Sequence, residues 1–107
     1  MKFLAGLSVC TFLATAAYAQ KPDDMMTARE LGQIVGTADI CSYPLDAEKV
    51  SEVVSGILAE MEPVSRSAYE TGSGAQKNRL QRMSEVERKV TCATQAKLAA
   101  KYGILSK

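Results

Sequence analysis

The chain is 107 residues long, 47% of them hydrophobic, with 13 basic and 12 acidic side chains, no His and no Trp. This length and composition fit one globular domain and leave no room for a second domain or a deep cofactor cleft. The missing His removes the commonest general base and the commonest metal ligand together.

The chain opens with Met1-Lys2, a minimal positive segment, followed by uncharged apolar and small residues from Phe3 to Ala17. Ala17-Tyr18-Ala19 is the A-x-A pattern that signal peptidase accepts, so a signal peptide is expected over 1–19, with one helical domain over 20–107. The apolar run is too short for the ~20 residues of a membrane span, so none is expected after cleavage. Three cysteines are present, and Cys10 leaves with the leader. In an exported chain the remaining pair, Cys41 and Cys92, is expected to form one disulfide. No Cys-x-x-Cys spacing and no His supports redox chemistry at either thiol.

Pro22-Asp23-Asp24 reads as a helix start, because acidic side chains meet free N–H groups and the positive end of the helix dipole. A first helix is predicted over 24–41, with Leu31, Ile34, Val35, Ala38 and Cys41 on one face. Gly32 and Gly36 share a face too. Each costs about 1 kcal/mol against Ala in a helix, so either another backbone approaches closely there or the helix is weak.

Pro44 forces Tyr43 out of helical geometry. Asp46 then caps a second helix over 47–62, with Leu45 and Val50 placed as a hydrophobic staple. Val50, Val53, Val54, Ile57, Leu58 and Met61 form its core stripe. Pro63 either kinks this helix or opens a new turn, with a short helix over 64–71. Gly72-Ser73-Gly74 reads as a break, and it lacks the Gly-x4-Gly-Lys-Ser/Thr pattern of a phosphate loop.

The last helix is predicted over 75–102. Leu80, Met83, Val86, Val90 and Ala93 lie on one face; Cys92, Ala96 and Ala99 lie on another flank. Gly103 fits a left-handed helix end, with Ile104 folding back on Ala99 or Leu98.

Charge is uneven along the chain. Residues 20–75 hold four basic and ten acidic side chains; residues 76–107 hold eight basic and two acidic. Two readings follow: oppositely charged helices pack together, or a basic face awaits an anionic partner. Arg79, Arg82, Arg88 and Lys89 are the interaction candidates. No aromatic interleaving or nucleic-acid motif accompanies them, so nucleic acid is not expected.

Catalytic signals are lacking. Thr94 and Lys97 have a Ser-Lys-like spacing but read as an exposed helix face. Glu48 and Glu52 sit one turn apart without His or Cys, a poor transition-metal set. No enzyme activity, metal or cofactor is expected.

The run Leu31-Gly32-Gln33-Ile34-Val35-Gly36-Thr37-Ala38-Asp39-Ile40-Cys41, with a second cysteine in the last helix, resembles small exported helical proteins of alphaproteobacteria. The resemblance implies a periplasmic location and one disulfide, and brings no catalytic residues.

The expected fold is therefore all-α: a small bundle of three main helices with one short helix, stapled by Cys41–Cys92. The expected role is a non-enzymatic periplasmic or secreted protein acting by protein–protein contact, in stress tolerance or host interaction. The alternative is a helical module that binds a small apolar or anionic ligand.

Overall fold

Pro22 opens the first helix, where its missing N–H is no loss, and Asp23 and Asp24 occupy the first turn. The computed structural model describes residues 22–106. The expected leader and its cleavage point lie outside them. The described residues form five helices: α1 (Pro22–Gly36), α2 (Ala38–Cys41), α3 (Ala47–Ala59), α4 (Pro63–Arg82) and α5 (Glu85–Tyr102). No strand occurs among them, only one isolated antiparallel bridge between Leu45 and Leu105. The fold is all-α, with Cys41 and Cys92 joined as a disulfide.

The helix expected over 47–62 ends at Ala59, and three larger differences from the sequence reading each have a local reason. The helix expected over 24–41 bends at Thr37, whose backbone leaves helical geometry. The Thr37 hydroxyl lies 2.6 Å from the Gln33 carbonyl one turn back, a contact that bends helices. The expected break at 72–74 is instead the middle of α4, which runs unbroken from Pro63 and absorbs the short helix expected over 64–71. The break falls later, between α4 and α5. There Ser84 accepts from the Glu87 backbone N–H and the Glu87 carboxylate accepts from the Ser84 N–H. This reciprocal capping box starts a new helix at Glu85.

The directions of the helices follow from their pairings. Cys41–Cys92, Thr37–Gln95 and Glu30–Tyr102 step down the bent α1–α2 run while rising along α5, so that run and α5 are antiparallel. Gly32 lies against Tyr69 and Gly36 against Ser73, so α1 and α4 run the same way. The α1–α4 contact is made by small residues. A β-carbon on Gly36 would stand 2.0 Å from the Ser73 hydroxyl oxygen, and one on Gly72 would stand 2.4 Å from the Arg29 carbonyl. The glycine pair in α1 therefore marks close backbone approach rather than a merely weak helix.

Two apolar clusters form the core. Ile34, Ala38, Tyr43, Ala99 and Ile104 make one; Ala28, Met61 and Ala68 make the other. The stripe of α3 bridges them, with Val50 and Val53 against the first and Ile57 and Leu58 against the second. Asp46 caps α3 as expected, accepting from the Lys49 N–H at 3.1 Å. Each fully buried Leu or Ile, among them Leu31, Ile34, Leu80 and Ile104, contributes about 1.5–3 kcal/mol.

The end of α5 is fastened in the predicted way. Gly103 takes the left-handed conformation at φ 74°, and Ile104 folds back so that its N–H donates to the Ala99 carbonyl at 3.1 Å. The chain then pairs with the α2–α3 connection: Asp46 N–H donates to Ile104 O at 2.9 Å and Ser106 N–H to Pro44 O at 3.0 Å.

Candidate functional site

The disulfide fixes the upper end of the bundle, the end where α2 and α4 finish and α5 starts. Cys41 and Cys92 have α-carbons 5.1 Å apart, inside the range that a bridge requires. An open cleft of about 260 Å³ lies beside it, lined by Ile40, Glu85, Arg88, Lys89 and the two cysteines.

The four basic candidates have different surroundings. Arg88 is half-buried and faces inward. Its Nε donates to Leu80 O at 3.0 Å and an Nη to Met83 O at 3.2 Å. The Leu80 carbonyl, which also accepts from the Met83 N–H at 3.3 Å, and the Met83 carbonyl stand at the end of α4, where backbone acceptors run short of helical donors, so Arg88 caps α4 from the next helix. Arg66 does the same one helix earlier, donating to Met61 O at 2.8 Å just beyond α3. Arg79 is exposed and donates to the Gln76 amide at 3.4 Å. Arg82 and Lys89 are exposed. The guanidiniums of Arg66, Arg79 and Arg88 thus hydrogen-bond to neutral oxygens.

Beside Lys89 stand two side chains of the apolar face that the sequence predicts from Leu80 to Ala93. Val86 is 72% exposed and Val90 is 62% exposed, and Ala93 on the same face is exposed too. The predicted face from Leu80 to Ala93 fails because it crosses the helix break at Met83-Ser84. Leu80 is buried at the end of α4, but α5 restarts with its own rotation. Its inner face is the flank with Cys92, Gln95, Ala99 and Tyr102. The capping box Ser84-x-x-Glu87 is the sequence signal that locates this restart.

Gln95 and Thr37 are both buried. The Thr37 hydroxyl lies 2.5 Å from the Gln95 side-chain amide and near the Tyr43 hydroxyl, which donates to Ile34 O. One hydroxyl proton serves only one acceptor. With the Thr37 proton on Gln33 O, a Gln95 amide turned to present its N–H completes the network. Burial raises the Tyr43 pKa, and the hydrogen bond to Thr37 works in the opposite direction.

A second open cleft, of about 330 Å³, is lined by Glu30, Leu98, Lys101 and Tyr102. Tyr102 donates to the Glu30 carboxylate at 2.7 Å. Burial, this hydrogen bond and the carboxylate charge push the Tyr102 pKa up to about 12. A phenol held protonated in this way is a poor base. No group of three or more potential metal ligands occurs among the described residues, and no described helix is long and apolar enough to cross a membrane.

No protein family, curated protein or solved structure matches the chain. Its function is therefore read from its own surface.

Proposed function

We propose that the protein is an exported, non-enzymatic protein that acts by protein–protein contact through the outer face of α5. The observation that carries this reading is the pair Val86 and Val90, one helical turn apart and largely exposed, with Lys89 between them. Single exposed apolar residues are ordinary. Two on one face, backed by a helix that a disulfide and a capping box hold rigid, form a surface suited to a partner. The basic candidates that belong to this surface are Arg82 and Lys89, with Arg79 nearby on α4.

A periplasmic location, with secretion as the alternative, is supported by the leader-like 1–19 segment and by a disulfide of the kind oxidising compartments preserve. The ligand-module alternative has less behind it, since the clefts at Tyr102 and at the disulfide are open.

Site-specific photo-crosslinking in the producing cell tests the contact reading. A photoreactive residue at position 86 or 90 is expected to give a discrete adduct that position 55, on the exposed side of α3, does not. No adduct at either valine position overturns the reading. N-terminal sequencing of the cell-processed protein tests export: a start at or near Gln20 is expected, and full-length chain in the membrane fraction overturns it.

A further inference from the structure

The sequence carries no redox motif at either cysteine, yet the place of the bridge in the fold makes it reachable. Cys41 and Cys92 are each half-buried, and both line the open cleft of about 260 Å³ with Ile40, Glu85, Arg88 and Lys89. Bridges sealed in a core resist thiol exchange, whereas exposed ones are labile. Arg88 and Lys89 precede Cys92 by one helical turn. The Arg88 guanidinium is held at the end of α4, and the Lys89 side chain is exposed. Cationic side chains this close favour the thiolate form of a cysteine. Glu85 on the same cleft, and Asp39 exposed on α2, act in the opposite sense.

The bridge is also what ties the first half of α5 to α2. The buried residues of α5 are Gln95 and Ala99, both in its second half. Within residues 85–94, Arg88, Thr91 and Cys92 are half-buried and the rest are exposed. Arg88 reaches Leu80 O and Met83 O, and the Thr91 hydroxyl lies 3.6 Å from the Met83 sulfur. Those two ties run to the end of α4, while Cys92 runs to α2. On its other side α2 rests on the core through Ala38, with Cys41 packed against the same apolar cluster. Further along α5, Gln95 stays on Thr37 and Tyr102 on Glu30 without help from the bridge.

We propose that the Cys41–Cys92 bridge is a site of thiol–disulfide exchange for a small dithiol, and that its reduction releases the first half of α5 from α2 while the rest of the domain stays folded. The inference goes beyond the contact reading and does not depend on what α5 touches. One thiolate of the dithiol attacks the Cys41 sulfur. The S–S bond breaks, and its electron pair leaves on Cys92 beside Lys89; that thiolate then takes a proton from solvent. The second thiolate of the dithiol attacks the first dithiol sulfur in the mixed disulfide and expels Cys41, which is protonated in turn. The dithiol ends as a disulfide, oxidised by two electrons, and the bridge ends as two thiols. The two protons lost by the dithiol match the two gained by the cysteines. In an oxidising compartment the bridge rests closed, and the arrival of a dithiol opens it.

The test is reduction of the folded, cell-processed protein by dithiothreitol, with freed thiols counted by alkylation and mass spectrometry, beside the same reaction in urea. The folded protein should react within about tenfold of the unfolded chain, because the bridge is reached without global opening. Lys89→Gln should slow the folded-state reaction at least about twofold and Glu85→Gln should speed it, since the two changes move the charge beside the leaving sulfur in opposite directions. Amide exchange in excess dithiothreitol should show protection lost over residues 85–94 and kept at Ala99 and Ile104. Reoxidation should restore the parent pattern.

A bridge that is reduced only as the whole domain unfolds overturns the site, as do rates that both charge variants leave unchanged. A reduced protein that keeps its protection over residues 85–94, or loses protection throughout, overturns the release.

Discussion

Gly32 lies so close to the Tyr69 carbonyl that a β-carbon on it would stand 1.9 Å from that oxygen. No rotation of a methyl group relieves such a contact, because the obstacle is backbone inside α4. Gly74 offers the contrast: it lies in the same helix as Tyr69, and a β-carbon there meets nothing within 4 Å.

The two glycines therefore respond to Ala with opposite signs. Gly32→Ala should lower stability by more than about 2 kcal/mol, as the helices are forced apart. Gly74→Ala should raise it by about 0.5–1 kcal/mol through reduced backbone entropy in the unfolded chain. Urea unfolding of the two variants measures both. Equal effects would remove the case for a close α1–α4 contact.

Arg88 and Lys89 are neighbours with different roles, and substitution separates them. Arg88→Met keeps much of the stem but removes the guanidinium from both carbonyls, leaving Leu80 O with the Met83 N–H alone and taking from Met83 O its side-chain donor. A loss of about 1–3 kcal/mol is expected, the range for removing a charged hydrogen-bond donor from such groups. Lys89→Met, on the exposed side, should change stability by less than about 0.5 kcal/mol. Thermal melts of both variants decide it.

Much of this arrangement is legible in the residues, and the misreadings are specific. Asp46 as cap, Gly103 as left-handed end, Ile104 folded back and the Cys41–Cys92 bridge follow from local chemistry or from a count of two. The stripes of α1 and α3 are readable because burial there matches the helical period. Gly72-Ser73-Gly74 misleads because glycine is read as a breaker, while tertiary contact makes Gly72 necessary inside a helix. The core face of α4 is almost invisible, since Ser65, Ala68, Gly72 and Gln76 are buried and none looks like a core residue. Val86 and Val90 mislead in the other direction, being apolar at helical spacing yet outside. The surface they form becomes visible only when the restart at Ser84 fixes the rotation of α5.

Tyr102 makes alkaline stability sensitive to pH. Its folded pKa, about 12, lies above the ordinary value of 10.0. Between these values the unfolded chain has lost the phenolic proton and the folded chain still holds it, so stability falls as pH rises through that window and is fully present below it. Burial also raises Tyr43 and Tyr69, which adds to the slope in the same direction. Glu30→Gln removes the carboxylate charge but leaves the burial. Ultraviolet titration should then show the Tyr102 transition at lower pH, still above the ordinary value. An unchanged transition would show that Glu30 does not act on this phenol.

The disulfide is the tie whose loss should cost most, because its sequence separation is 51. Closing a loop of that length is worth about 4 kcal/mol in the chain-entropy account, and removal of such bridges typically costs about 2–5 kcal/mol. Two other ties join the bent α1–α2 run to α5, Thr37 to Gln95 and Glu30 to Tyr102. They hold the lower part of α5 whether or not the bridge is present. The loss should therefore be concentrated at the upper end, where Ile40, Arg88 and Val86 sit. Cys41→Ser with Cys92→Ser should retain the helical signal, unfold at lower urea, and lose amide-exchange protection first in the opening turns of α5. Thiol labelling of the denatured, unreduced parent checks the premise, and two free thiols would refute it. Uniform loss of protection along all of α5 would show instead that the bridge, and not the buried polar ties, holds the whole helix in place.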